Sequence, residues 1–184
     1  MYDPHAAHEH IVRINDRTIP PRAWLTREQL WLGLAATLRQ PSRHDCSVDD
    51  YTVTAQTADA LQLRLSRGHA TVVQTLTGRP PDSISLKAQD ESTGESATLD
   101  IRIEEPAPGA LFVRFVFELP GSAGDDSAEE GNARRAAYEA YARDIVRAAR
   151  TLAGGVALHG SVAPEGLRSG AKAPLHPPRS DPRS

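Results

Sequence analysis

The chain has no surplus of basic charge, no pair of cysteines and no long apolar run. Its 21 Lys and Arg residues face 24 Asp and Glu residues, and the net charge of −3 offers no electrostatic surface for nucleic acid. The single cysteine, Cys46, excludes an internal disulfide. No apolar run approaches the ~18 residues of a transmembrane helix, and no signal-like segment opens the chain. We therefore expect a cytoplasmic protein with no nucleic-acid partner and no membrane insertion.

A long amphipathic segment, residues 127–155, is the strongest pattern that is present. The capping box Ser127-Ala-Glu-Glu130 predicts its start, and the pair Gly154-Gly155 predicts its end. At about 1.5 Å per residue the helix would be roughly 35–40 Å long, so a broad apolar surface must cover its apolar stripe. At about 100° per residue that stripe comprises Ala137, Tyr141, Ile145, Ala148 and Leu152.

Between Tyr51 and Leu119 the apolar residues alternate with a period of two, which predicts a run of antiparallel strands. Another strand is predicted at residues 10–15, before Pro20-Pro21. A first helix is predicted from the capping box Thr26-Arg-Glu-Gln29 to Pro41. The predicted inward residues of the six later strands are Tyr51, Val53 and Ala55; Leu61, Leu63 and Leu65; Val72, Gln74 and Leu76; Ile84, Leu86 and Ala88; Ala97, Leu99, Ile101 and Ile103; and Leu111, Val113, Phe115 and Phe117.

The same alternation predicts the register of three hairpins, because an inward residue must face an inward residue across each turn. The first hairpin has a two-residue turn at Gly68-His69, and the third has a loop from Glu105 to Gly109. The predicted pairs are Leu65 with Val72 and Leu61 with Leu76; Ile84 with Ile101, Leu86 with Leu99 and Ala88 with Ala97; and Ile103 with Leu111, Ile101 with Val113, Leu99 with Phe115 and, on the outer face, Asp100 with Arg114.

The order of these elements resembles the helix-grip fold of the START and Bet v 1-like superfamily. Two stretches resemble the AtaL-like family within it. One is Ile14-Asn15-Asp16 followed by Leu25-Thr-Arg-Glu-Gln-Leu-Trp31 and Gly33-Leu34. The other is Ile103-Glu-Glu-Pro106 followed by Gly109, Leu111 and Phe112-Val-Arg-Phe115. The resemblance covers residues 9–153.

The resemblance implies an α+β helix-grip (Bet v 1-like) domain. A curved seven-stranded antiparallel sheet would wrap around a long C-terminal helix, with a short helical region between strands 1 and 2. It also implies an apolar cavity between sheet and helix, and the superfamily includes lipid carriers, hormone receptors and polyketide cyclases. Residues 37–46 depart from the family, which usually has a lysine and an aromatic-proline segment at these cavity-rimming positions. The resemblance therefore does not identify a ligand.

Composition divides the chain into three parts. We expect residues 1–7 to be a flexible N-terminus and residues 8–155 to form the START/Bet v 1-like domain. Residues 156–184 are rich in Pro, Gly and Ser and have too little apolar surface to order themselves, so we expect a disordered tail.

The concave face of the predicted sheet supplies a candidate ligand site. Gln74 is its most informative residue, because a buried amide without a partner costs about 1–3 kcal/mol. A ligand or a trapped water would satisfy it, and so would a backbone group near a strand end. Tyr138 and Tyr141 either present hydroxyls to the cavity or belong to the core. The predicted ligand contacts are Leu63, Val72, Gln74, Leu99, Ile101, Val113, Phe115, Tyr141 and Ile145.

Three groups of polar residues contain residue types found in catalytic or metal sites, but their spacing does not support such a site. His8 and His10 share a strand face but lack a third metal ligand. The run His44-Asp45-Cys46 cannot fold back into a nucleophile with its base. Glu104 and Glu105 point to opposite faces of a strand. We assign no catalytic residue, no metal ligand and no cofactor.

Three functions from different classes follow, ranked in this order. The first is a binding protein whose apolar cavity holds a small hydrophobic ligand, such as a polyketide, aromatic or lipid-like metabolite. The second is a polyketide cyclase/dehydratase-like enzyme, which needs Arg13, Arg67 or His69 inside the cavity beside Tyr141. Arg13 itself is expected in solvent unless the first strand is flipped. The third is a protein-interaction role through a sheet edge or the tail, and a homodimer also remains open.

Overall fold

The computed structural model describes residues 7–16, 18–118 and 128–158. One strand precedes the first helix and six strands follow it. A long helix ends the described part of the chain. Single turns of 3-10 helix at Pro21–Ala23 and Pro41–Arg43 flank the first helix. The elements are β1 (His8–Arg13), α1 (Arg27–Leu38), β2 (Asp50–Gln56), β3 (Ala60–Arg67), β4 (Ala70–Arg79), β5 (Ser83–Asp90), β6 (Ser96–Glu104), β7 (Phe112–Glu118) and α2 (Ala128–Leu158).

The strands form one antiparallel sheet in the order β1-β7-β6-β5-β4-β3-β2. Consecutive strands from β2 to β7 are neighbours because hairpins join them, and β1 returns to pair with β7. One face of the sheet packs against α2, and α1 lies against α2 and caps the assembly. This architecture confirms the predicted α+β helix-grip fold.

Two of the three predicted hairpin registers are confirmed. Leu65 faces Val72 across β3 and β4, and Leu86 faces Leu99 across β5 and β6. The third register is wrong by two residues, since Ile103 faces Val113 instead of Leu111. Leu111 precedes β7, and its carbonyl accepts hydrogen bonds from the backbone amides of Ile14 and Asn15. A shift of two residues keeps every inward side chain inward, so alternation alone does not reveal the error.

The register shift also removes the predicted pairing of Asp100 with Arg114. Arg102 and not Asp100 lies opposite Arg114. The Arg114 guanidinium pairs with Glu104 at 2.6 Å and also with Glu9 of β1. These charges therefore tie three neighbouring strands together on the outer face.

The start of α1 follows its sequence signal. The Thr26 hydroxyl accepts a hydrogen bond from the Gln29 amide at 3.2 Å, and the Gln29 side chain accepts one from the Thr26 amide at 2.9 Å. The predicted capping box is confirmed. Farther along, α1 packs closely on α2 at Gly33, where a Cβ atom would lie 2.4 Å from the Ala149 carbonyl oxygen. Only glycine permits that approach of the two helices.

The long helix α2 ends later than its sequence predicts. Its N-terminal cap, predicted at Ser127, lies outside the described residues, and the helix runs through Gly154-Gly155 to Leu158. Glycine costs only about 1 kcal/mol in a helix interior, and packing routinely overrides so small a preference. Buried Ala149 and Ala153 hold the preceding turns of α2 in place. Residues 156–158, predicted as tail, therefore belong to α2, while the rest of the predicted tail lies outside the described residues.

The buried stripe of α2 is offset from the predicted one. Ile145 is fully buried, as predicted. Ala137 is exposed, and Ala148 and Leu152 are only half-buried. The other buried residues in this part of α2 are Ala142, Val146 and Ala149. Contact with α1 explains the offset, because the predicted stripe considers only the sheet. Neither described helix combines the length and apolar character needed to cross a membrane.

Candidate functional site

A cavity of about 320 Å³ lies between one end of the concave sheet face and the N-terminal half of α2. Its wall is mainly apolar, and its polar groups gather at the rim and at one position in the sheet. The lining residues are Asp45, Arg67, Gln74, Leu86, Ala88, Ala97, Thr98, Leu99, Phe117, Glu118, Ala137, Tyr138 and Tyr141. Its size is near the lower end of the ~300–1,000 Å³ range of small-molecule sites, which suits a compact ligand.

Small side chains create this cavity. Gln74, Ala88 and Ala97 are direct neighbours across β4, β5 and β6, and Ala137 faces them from α2. An alanine on a strand fills little of the roughly 10 Å between packed layers. Where β6 and β7 carry larger inward residues, such as Ile101 and Phe115, the core is solid and these side chains are fully buried. The cavity is therefore a consequence of side-chain size at consecutive positions across the sheet.

Two stacked aromatic rings form one side of the cavity. The rings of Phe117 on β7 and Tyr138 on α2 are 4.5 Å apart and nearly parallel, at 7°. His8 of β1 also stacks on Tyr138, with ring centroids 5.7 Å apart. Stacked rings restrict each other's movement. The cavity therefore has a rigid aromatic border on this side.

Gln74 is the polar interruption in the sheet-side wall. Its side chain is only 4% exposed and lines the cavity, but in the described part of the chain its amide atoms are not among the buried polar atoms that lack a partner. Both an N–H donor and a carbonyl acceptor thus border the space that a molecule in the cavity would occupy. A hydrogen bond from a ligand to this amide would contribute about 0.5–1.5 kcal/mol of net free energy.

An ion pair forms part of the rim. Arg67, at the end of β3, donates from Nη2 to the Asp45 carboxylate at 2.7 Å. Asp45 is held from its other side by the backbone amide of Ser47 at 3.0 Å and by the Ser47 hydroxyl. Among the described residues Arg67 Nε is buried without a hydrogen-bonding partner. The guanidinium is therefore neutralised in charge but retains unused donors.

Beside the ion pair, His44 lies against Tyr141. His44 Nε2 and the Tyr141 hydroxyl are 3.4 Å apart, and the rings are tilted with centroids 5.6 Å apart. Burial lowers the pKa of His44, although the neighbouring Asp45 carboxylate opposes that effect. Burial also raises the pKa of Tyr141 to about 12. At neutral pH, His44 is therefore an uncharged imidazole that can accept a proton. Tyr141 is a protonated phenol that can donate one.

A second and wider cleft, of about 610 Å³, lies on the outer side of this rim. It runs between residues 42–46 and the C-terminal half of α2, and its wall includes Cys46, Asp144 and Arg147. His44 and Asp45 line this cleft, and Asp45 also lines the inner cavity. The segment that we expected to depart from the family, residues 37–46, therefore includes Asp45, which borders both spaces.

The structure brings three of the nine predicted ligand contacts, Gln74, Leu99 and Tyr141, to the wall of the inner cavity. Val72 is half-buried beside the core, and the other five are packed within it. Ligand contact by the nine residues stays a prediction. The five core residues are Leu63, Ile101, Val113, Phe115 and Ile145.

Sequence reasoning missed the rim. His44 and Asp45 were considered only as parts of a nucleophile, and Arg67 only as a condition for catalysis, yet Asp45 and Arg67 line the cavity. The alanines at inward positions 88 and 97 were the available signal, since an inward alanine marks unfilled space. The convergence of Asp45 on Arg67, by contrast, depends on how the segment after α1 turns.

The remaining polar groups take positions away from the cavity wall. Arg13 is exposed, as expected for an unflipped β1, and His69 is exposed in its turn. Glu104 pairs with Arg114 on the outer face, while Glu105 accepts a hydrogen bond from the Gly109 amide. In residues 7–16, 18–118 and 128–158, no three His, Cys, Asp or Glu side chains gather as metal ligands.

Solved structures of similar shape show the type of fold. The crystal structure of Ara h 8.0201 has a TM-score of 0.57 at 7% identity and covers 83% of this chain and 99% of its own. The Zhui aromatase/cyclase from Streptomyces sp. R1128 has a TM-score of 0.56 at 14% identity, covering 86% and 99%. The di-domain ARO/CYC StfQ from the steffimycin biosynthetic pathway has a TM-score of 0.60 at 10% identity, covering 82% of this chain and 52% of StfQ. The chain thus spans about half of that di-domain protein. At these identities the likeness shows the fold alone, and the fold is that of helix-grip proteins.

The family follows from the sequence. The family model described as AtaL, acetylaranotin biosynthesis cluster protein L, matches residues 12–155. The chain belongs to the AtaL family, as its motifs around α1 and β6 predicted. No curated protein matches the chain.

Proposed function

We propose that this protein binds a small, mostly apolar molecule in the cavity between the sheet and α2. Gln74 carries the proposal, because a single inward amide in a mainly apolar cavity wall can orient a bound molecule by hydrogen bonds. Apolar burial against Leu86, Leu99 and Phe117 would supply most of the affinity, at roughly 25 cal/mol per Å². The proposal agrees with the shared fold of Zhui and StfQ, whose names describe aromatase/cyclases.

Titration with prodan, a neutral naphthalene ketone whose fluorescence responds to burial, tests this proposal. Its emission should shift to the blue with saturation at a 1:1 ratio. Ala97→Phe fills the cavity from β6 and should weaken binding by about tenfold or more. Ala55 was predicted to point inward, but the register of β2 shifts between Val53 and Ala55, and Ala55 is exposed. Ala55→Phe therefore adds the same side chain outside the cavity and should leave binding unchanged. Equal affinity of both variants would refute a ligand site in this cavity. If Ala97→Phe alone weakens binding, mass spectrometry of molecules that co-purify with the protein would identify the natural ligand class.

A second candidate function is enolisation of a bound ketone, as a cyclase requires. Arg67 lines the cavity together with Tyr141, which is the arrangement that this function needs. Tyr141 remains protonated at neutral pH and could donate a proton to a ligand carbonyl, and neutral His44 next to its hydroxyl could return that proton from the outer cleft. His44 does not line the inner cavity, so water would have to take the proton from the carbon next to the carbonyl. Gln74 has no acid–base chemistry and would only orient the ketone. Binding would then be the first step of a reaction in the same cavity.

Exchange of the methyl protons of 2-acetonaphthone in D₂O, followed by NMR, separates the two functions. A catalyst should accelerate deuterium incorporation above the rate in buffer alone, and Tyr141→Phe should slow it by roughly 10²-fold or more. Gln89→Met, on the exposed part of β5, serves as the control variant. Binding without accelerated exchange would leave the protein as a binding protein and exclude this activity.

A further inference from the structure

The charges around the cavity do not balance in favour of an anionic ligand. Three charged side chains line it, and two of them, Asp45 and Glu118, are acidic. The only basic one among the described lining residues, Arg67, is already paired with Asp45 at 2.7 Å. His44 beside them adds no charge at neutral pH, because burial favours its neutral form. A carboxylate entering the cavity would find no free positive charge among the described residues that line it.

The ion pair is built into the rim, and its carboxylate is largely shielded from water. The Asp45 side chain is 12% exposed and that of Arg67 is 32% exposed. Two further donors from Ser47 hold the Asp45 carboxylate, so it is fixed in position before any ligand arrives. Displacing it from Arg67 would leave a shielded charge without a partner, which is costly. A ligand carboxylate would have to meet that cost.

The same residues suit a neutral oxygen acceptor. Arg67 binds Asp45 through Nη2 and retains other Nη donors that Asp45 does not use, and the Gln74 amide adds another donor. A ketone, quinone or amide carbonyl accepts such hydrogen bonds and requires no compensating charge. Hydrogen bonds from a charged donor are stronger than those between neutral groups. The guanidinium therefore can bind a carbonyl group without giving up its ion pair.

We propose that Asp45 is a specificity-determining residue that, by neutralising Arg67, restricts the cavity to neutral, carbonyl-bearing aromatic ligands and rejects carboxylates. This inference rests on the proposed ligand-binding function and names the chemical class of its ligand. It also gives a role to a residue in the segment that we expected to depart from the family. Removal of the Asp45 charge should convert Arg67 into an anion site.

Competition against prodan with two ligands of nearly equal shape tests the proposal. 2-Acetonaphthone is neutral, and 2-naphthoate is an anion near neutral pH. The wild-type protein should prefer the ketone by about tenfold to 100-fold, because an unpaired charge in a shielded site is unfavourable. Asp45→Asn keeps the size of the side chain and should reverse the preference, with naphthoate affinity rising about tenfold or more. Asp144→Asn removes an acid that lines only the outer cleft and should change neither affinity.

A third ligand tests the same charge rule in the unaltered protein. 2-Naphthamide has the shape of naphthoate without its charge, so the wild-type protein should bind it about as tightly as the ketone. Equal binding of naphthoate and naphthamide by the wild type would overturn the proposal, and so would an unchanged preference in a folded Asp45→Asn variant. Failure of all three compounds to displace prodan, or of prodan to bind, would refute the proposed binding function itself.

Discussion

The two ends of the concave face share one alternation pattern but differ in what fills them. At the packed end, Ile101, Val113 and Phe115 are fully buried against α2 and the core is solid. At the cavity end, Ala88 and Ala97 replace such side chains and Gln74 interrupts the apolar surface. Both ends obey the same register, so the backbone is equally regular in each. Side-chain size and one amide therefore separate the part that stabilises the fold from the part proposed to bind.

The packed end should carry most of the stability. Phe115→Ala should lower the free energy of unfolding by about 3–5 kcal/mol, since it removes a fully buried ring and leaves a cavity. Ala97→Leu at the cavity end should change it by less than about 1.5 kcal/mol, because the added side chain enters existing space. Urea denaturation measures both values. Equal destabilisation by the two variants would mean that the two ends do not differ in packing.

Gln74 should contribute to binding at the expense of stability. Gln74→Met keeps the side-chain volume and removes an amide from a mainly apolar wall, so the free energy of unfolding should rise by up to about 1 kcal/mol. Binding of 2-acetonaphthone should weaken by about tenfold, because a hydrogen bond to the carbonyl is lost. Denaturation and prodan competition measure these two effects.

An exposed glutamine on the same sheet provides the control. Gln89→Met on β5 should leave both stability and binding near the wild-type values. A Gln74→Met protein that is less stable than the wild type would show that the amide is already satisfied in the free protein. The proposed function would then lose its main support.

The strand faces could be predicted because alternation is a local property. The inward positions of β3 to β7 and the capping box at Thr26 follow from residues that are neighbours in the chain. The pairing of β6 with β7 could not, since a shift by two residues satisfies the same alternation. The end of α2 was also mispredicted, because its packing against α1 outweighs the helix-breaking tendency of two glycines.

The candidate site was harder to predict than the fold. Alternation treats alanine and leucine alike, so it located the concave face without showing which part of it was unfilled. Gln74 was identified because a polar residue at an inward position is unusual. The Asp45–Arg67 pair joins residues 22 positions apart, from a non-helical segment and a strand end, and no local pattern brings them together. The residues that rim the cavity are thus set by tertiary structure.

The smallest expected effect concerns the pH dependence of stability at the rim. Burial lowers the pKa of His44 below its usual 6.5, so the folded state binds fewer protons than the unfolded state as pH falls through that value. The stability of the protein should therefore decrease between about pH 7.5 and about pH 5.5, where ordinary carboxylates remain ionised. His44→Gln should reduce this decrease, as measured by urea denaturation at both pH values.

His8 at the aromatic wall should contribute to the same decrease, because burial also lowers its pKa. His8→Gln and His44→Gln should therefore have additive effects on the pH dependence, since the two residues contact different tyrosines of α2. His69→Gln alters an exposed histidine and serves as the control. If stability stays constant on acidification, or if His44→Gln leaves the decrease unchanged, then His44 accepts a proton in the folded protein as readily as in the unfolded one. Below its pKa, His44 would then add a positive charge beside the Asp45–Arg67 ion pair. The preference for neutral ligands would be expected only above that pKa.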